Sequence, residues 1–261
     1  MGKNKLSKFA EMNTIDLVFQ YPYGRLREEG FDSFPLKGSW GAEFFGNDHP
    51  IVVELGCGKG EYTVGLAQLY PGCNFIGIDI KGARMHAGAT RARDLGLPNV
   101  AFLRTSIELL EAFFAPGEIA GLWITFPDPQ MKKVNKRLTG TRFMQLYRRV
   151  CAPDALVKLK TDSPFLYSYT RAMAQLNALE IITDTPDLYH AGMDGDPILG
   201  IRTHYETQWL ARGLSIKYLV WRLGQDTPLA EPEDDFEHDT YRSYSRGYIQ
   251  QGDLAPVLSK S

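Results

Sequence analysis

The sequence predicts an α/β protein built on a doubly wound, mainly parallel seven-stranded sheet, with helices on both faces and the last strand antiparallel. Three observations predict it. From Ile51 onward, short apolar runs alternate with stretches of helical spacing. The runs are apolar throughout, as strands covered on both faces are. The series then closes on IITDT and the long LSIKYLVWRL, which read as hairpin-like strands at one edge.

In chain order, residues 1–45 carry aromatic and Gly/Pro punctuation (YPYG, GSWG) and read as an irregular lead-in with one short helix. Residues 46–223 form the main domain. IVVEL is a strand that stops at glycines, KGEYTVGLAQLY a helix and NFIGIDI a strand. GARMHAGATRARDLG is a helix ending in Gly96, VAFLR a strand, IELLEAFF a helix and IAGLWIT a buried strand. RFMQLYRRVC, ALVKLKT and PFLYSYTRAMAQL continue as helix, strand and helix; THYETQWLARG is a helix after a loop. A sheet that starts parallel and closes with hairpin-like strands is the plan of class I methyltransferases. Residues 224–261 form an acidic, polar tail without a clear apolar face, read as an extended arm or a partly disordered segment. There is no internal repeat.

With 261 residues, 44% of them hydrophobic and 23% charged, the chain is long enough to bury one large core, which excludes wholesale disorder. Its three cysteines lack CxxC spacing, and its five histidines form no HxxxH pair. The expectation is a reduced cytoplasmic protein without a metal site. MGKNKLSKFA has no apolar signal region, and no apolar run approaches the length of a membrane span. No obligate protein partner is evident. Although the net charge is −2, the tail carries eight acidic against three basic side chains, so the remainder is net positive. Residues 131–149 hold seven Lys or Arg and no acid, a concentration that suits a polyanion.

The chemistry-bearing stretches sit at strand ends. In VVELGCGKGEY, Gly56, Gly58 and Gly60 follow a strand and open a helix, so a ligand can approach the amides. Asp79 ends the next strand, where an acid can accept both ribose hydroxyls of an adenosine. A dinucleotide fingerprint wants glycine at position 61, yet Glu stands there and would repel a pyrophosphate. Glu54 and Glu61 suit instead the sulfonium and ammonium of S-adenosylmethionine. The second stretch, FPDPQMKKVNKR, fixes Asp128 between two prolines and follows it with a basic run.

ELGCGKGE, GIDI, FPDPQMKK, LKTD and THYE, in this order, resemble the tRNA (guanine-N7)-methyltransferase family from about Trp40 to Leu223. The resemblance implies transfer of a methyl group from S-adenosylmethionine to N7 of a guanine in tRNA, guanine 46 of the variable loop. It implies a cofactor site at Glu54, Gly56, Gly58, Asp79 and Asp128, with Thr105 where the family often has an acid near the adenine. It implies substrate contacts at Lys132, Asp162, Thr203 and Glu206. A methyltransferase of a small molecule or protein, and a tRNA-binding protein with a degenerate pocket, are the alternatives.

Guanine N7 has a lone pair and no proton, so its methylation needs positioning and electrostatics rather than a general base. Asp128 is the expected catalytic residue, with Asp162 beside it. Lys132, Lys133, Lys136, Arg137, Arg142, Arg148 and Arg149 are candidates for phosphate contacts, the last two reading rather as a plain helix surface. Asp162 reads equally as a helix N-cap, and Thr203 with Glu206 as a capping box.

Overall fold

The computed structural model describes residues 10–224 and 227–240. Its centre is an eight-stranded sheet: β1 (Val18–Gln20), β2 (Ile51–Leu55), β3 (Asn74–Ile78), β4 (Val100–Arg104), β5 (Ile119–Thr125), β6 (Cys151–Thr161), β7 (Ile181–Thr185) and β8 (Lys217–Arg222). The spatial order is β1-β4-β3-β2-β5-β6-β8-β7. All pairs from β1 to β6 are parallel. Only β8 runs against its neighbours, wedged between β6 and β7.

The sheet therefore has eight strands rather than the expected seven. The extra one, β1, comes from the lead-in and pairs Val18 with Phe102 and Gln20 with Arg104. Three residues are too few to show a period, so nothing in the sequence marks it. The lead-in also holds α1 (Tyr23–Glu29) and a π-helical turn, Trp40–Phe45. Trp40 is fully buried, with its indole N–H donated to Phe113 O at 2.9 Å.

Five more helices follow: α2 (Glu61–Leu69), α3 (Gly82–Asp94), α4 (Thr141–Val150), α5 (Pro164–Leu176) and α6 (His204–Leu210). The helix expected over IELLEAFF is a 3-10 helix, Ile107–Ala112. Each central strand feeds two cores because alternate side chains point to opposite faces. Val53, Ile76, Leu122 and Val157 join the lead-in aromatics, α4 and α5 on one face; Phe75, Phe102 and Trp123 join Tyr62 and Met85 of α2 and α3 on the other. With both faces covered, the apolar runs are accounted for.

The chain runs from β2 outward through β3 to β4, then crosses back to β5 on the other side of β2. The carboxyl ends of β2 and β5 thus border the crevice where a doubly wound sheet binds ligands.

Candidate active site

Five strand ends carry the candidate residues, those of β2, β3, β4, β5 and β6. At the end of β2, Gly56 N–H and Cys57 N–H both donate to Ile78 O, at 2.8 and 2.9 Å, which folds the glycine loop over β3. Gly56 has φ +77°, and a Cβ there would meet nothing within 4 Å, so the backbone turn alone requires glycine and the space beside it stays open. Gly60, at φ +71°, has a second reason as well: a Cβ would lie 2.7 Å from the Phe102 ring. Asp79, half-buried beyond the end of β3, accepts Gly58 N–H on one oxygen (3.0 Å) and Lys81 N–H on the other (2.7 Å). Each oxygen keeps a second lone pair for a hydroxyl.

Glu54 is buried behind this loop. It accepts Thr63 N–H at 2.9 Å and the hydroxyls of Thr63 and Thr125, so it ties β2 to α2 and β5. Burial pushes its carboxyl up to about 7, against the lowering effect of those hydrogen bonds. Glu61 accepts His204 N–H at 3.1 Å, fastening α6 to the start of α2. Thr105, just past β4, is 1% exposed, and its hydroxyl has no hydrogen-bond partner. A buried hydroxyl left unsatisfied costs about 1–3 kcal/mol, and the hydrogen-bonding edge of an adenine would satisfy it. An orphan hydroxyl, an open glycine turn and a surplus of carboxylates fit a cationic nucleoside cofactor.

At the end of β5 the backbone is strained. Phe126 and Gln130 both have φ +48°, which is unusual for non-glycine residues, and they bracket Pro127-Asp128-Pro129. The prolines are buried and Asp128 is exposed, its Oδ1 accepting Gln130 N–H at 3.0 Å. Arg137 holds this shape. It is 2% exposed, and its guanidinium donates to Pro129 O, Gln130 O and Met131 O at 3.1–3.3 Å while lying 3.9 Å from the Tyr169 ring centroid. It is therefore unavailable to phosphate, against expectation. Lys136 and Arg142 pair with Glu108, Arg149 pairs with Glu111, and Arg148 donates to Leu223 O and Thr227 O. Lys132 and Lys133 are exposed and, among the described residues, form no ion pair.

At the end of β6, Asp162 is 0% exposed. It is not the helix cap. Ser163 caps α5 by accepting Leu166 N–H at 2.9 Å, while Asp162 O accepts the Lys217 ammonium at 3.0 Å. Thr203 and Glu206 form the capping box of α6. Glu206 is 0% exposed and also accepts from Lys160 and Tyr189, each at 2.7 Å. Asp79 thus hydrogen-bonds the glycine loop at Gly58, with Glu54 buried behind that loop, Thr105 buried past β4 and Asp128 exposed past β5, while Glu206 is closed to solvent.

Sequence reasoning missed Arg137's inward turn and missed Lys160 altogether. Lys160 is fully buried in β6, donating to Tyr62 OH and Leu199 O. Its only signal was its place among the apolar residues of LVKLKT. Among the described residues, no group of His, Cys, Asp or Glu is arranged to hold a metal, and no helix is long and apolar enough to cross a membrane.

Residues 48–219 match the model of a family described as putative methyltransferase. The chain is 55% identical to a tRNA (guanine-N(7)-)-methyltransferase of Bacteroides thetaiotaomicron, covering 94% of this chain and 96% of the relative. It is 59% identical to the protein of the same name from Porphyromonas gingivalis, over 92% and 98%. Among solved structures, the 16S rRNA (adenine(1408)-N(1))-methyltransferase of Catenulisporales acidiphilia superposes with a TM-score of 0.51 over 71% of this chain and 93% of that one. At 17% identity this likeness concerns the fold alone.

Proposed function

The chain belongs to the tRNA (guanine-N7)-methyltransferase family, and from that premise we propose that it methylates N7 of guanine 46 in the variable loop of tRNA, using S-adenosylmethionine. The observation that carries this reading is Asp128, a carboxylate presented to solvent on a doubly strained turn, next to a crevice that suits a cationic nucleoside.

Gly56, Gly58, Asp79 and Thr105 would hold the cofactor, with Glu54 fixing the glycine loop from behind. When bound, S-adenosylmethionine supplies a methyl group on a sulfonium. Asp128 accepts from the N1–H and N2–H₂ edge of guanine, orients the base and stabilises the positive charge that develops on the purine. Its carboxylate needs no search for its position, because Arg137 and the two prolines have already fixed the turn. Asp162 lies at the next strand end and adds negative potential to the same crevice. Lys132 and Lys133 follow Asp128 on the same loop and attract phosphates of the target nucleotide. Thr203 and Glu206 serve from behind, by holding α6 and the loop before it.

Labelled methyl transfer to unmodified tRNA, followed by chemical cleavage at N7-methylguanosine, tests the reading. A single cleavage site at guanine 46 is expected. Transfer to another base, or none, would overturn it.

A further inference from the structure

We propose that Asp239, brought back from the C-terminal tail, is a positioning residue for methyl transfer, because it ties the turn that carries Asp128 to the turn that carries Asp162. The inference rests on the reading above, in which both carboxylates serve the guanine site.

The described part of the tail is a strap laid across α4 and α5. Arg148 donates to Thr227 O at 2.7 Å, and Asn177 exchanges two hydrogen bonds with Ala230, at 2.7 and 2.8 Å. Glu231 accepts the N–H and hydroxyl of Thr141, at 3.1 and 2.6 Å, capping α4 in place of Gly140, which has no side chain to do so. The other oxygen of Glu231 accepts Tyr169 OH. Phe236 meets Phe165 and Tyr169 edge-on, with centroids 6.2 and 5.8 Å away. These two rings are the ones that Arg137 lies against while it grips the carbonyls of 129–131.

Asp239 is where the strap reaches the site. One carboxylate oxygen accepts Phe165 N–H at 3.0 Å, and the other accepts the hydroxyl of Ser163, the neighbour of Asp162. Its own N–H donates to Met131 Sδ at 3.2 Å, at the end of the Asp128 loop. In PEDDFEHD the acids Glu233, Asp234, Asp235 and Glu237 are exposed, as a solubilising tail would have them, and Asp239 is 7% exposed. Burying a carboxylate is unfavourable unless its oxygens are paired. The donors that pair this one belong to the Asp162 turn and the start of α5. The same segment of chain thus meets both turns, one by hydrogen bonds and the other by sulfur contact and through the Phe236-Tyr169-Arg137 stack.

A plain fold staple and a positioning residue differ in what they change. Full-length Asp239→Ala and Asp239→Asn, with Glu237→Ala as an exposed control, are compared with wild type in single-turnover methyl transfer, at saturating tRNA and cofactor and well below each melting point. Misplacing a catalytic group by about 1 Å can cost about 10²-fold, and we expect about tenfold for Asp239→Ala, less for Asp239→Asn and none for Glu237→Ala. Affinities for tRNA and S-adenosylmethionine stay within about twofold of wild type, and amide exchange quickens at Asp128, Gln130 and Met131 and at Thr161, Asp162, Ser163, Phe165 and Leu166. A folded Asp239 variant that transfers within about twofold of the wild-type rate overturns the proposal, whatever its melting point, as does a loss that disappears at higher tRNA. Should Asp239→Ala fail to fold, Asp239→Asn decides alone. A wild-type protein without tRNA methylation overturns the reading of the site itself, whereas wild-type activity with unaffected variants overturns only the role of Asp239.

Discussion

The FPDPQ loop and the T-x-x-E block hold their acids in opposite ways. In the first, two residues in the left-handed region lift Asp128 into solvent. In the second, Glu206 has lost all contact with solvent and is claimed by Lys160, Tyr189 and the helix cap. Both stretches read as functional motifs, and both contain an acid. The difference teaches that a motif residue can belong to a site by facing it or by holding what faces it, and that burial and hydrogen-bond partners separate the two cases.

The contrast can be broken most forcefully at Glu206. Glu206→Ala leaves the Lys160 ammonium buried without its partner carboxylate, and a loss of about 3–5 kcal/mol in stability is expected. Urea unfolding checks it; a loss below about 1 kcal/mol would mean that Glu206 serves substrate after all. Asp128→Asn should do the reverse, with an unchanged melt and a fall of about 10²–10³-fold in single-turnover methyl transfer. A folded mutant within about threefold of wild type would reduce Asp128 to a turn residue.

Glu54 stands between the two cases, buried like Glu206 yet bordering the glycine loop. Its carboxyl titrates at about 7 in the folded protein against an ordinary value of 4.5, so the native state holds a proton that the unfolded chain releases. Stability should therefore be fully present below about pH 4.5 and fall as pH rises toward 7. Glu54→Gln should flatten that slope in melts across the range, and parallel curves for the two proteins would refute it. The smallest effect belongs to Lys132. Lys132→Ala should lower the slope of log affinity for tRNA against log salt by about 0.7–0.9, one phosphate contact, and leave cofactor affinity unchanged. Identical slopes in filter binding would remove the phosphate role.

The central strands were legible because burial on both faces leaves a continuous apolar run, as in IVVEL and IAGLWIT. The glycine loop after β2 and the acid that follows β3 were legible because glycines and acids stand at strand ends in a fixed order. β1 was not, since three residues, VFQ, are too few to show a period. Arg137 was misjudged because a basic run gives no sign of which member folds inward, and only the rings of Phe165 and Tyr169 decide it. Lys158 and Lys160 look alike in the sequence, yet Lys158 lies half-buried over the Trp123 ring while Lys160 meets Glu206 and Tyr62 in the interior. The tail was least legible. It makes its contacts through isolated residues, Glu231, Phe236 and Asp239, whose partners lie 62–108 positions earlier in the chain.

The place of β8 between β6 and β7 bears on how the protein comes off the ribosome. β7 is made first but has no neighbour to join, because the strand it pairs with is β8. Until Lys217–Arg222 emerges, the outer edge of β6 stays unpaired and open to other chains. At about 5–20 residues per second that interval lasts several seconds. A pause in translation just before β8 should therefore lower the yield of soluble protein more than a pause of equal length after it.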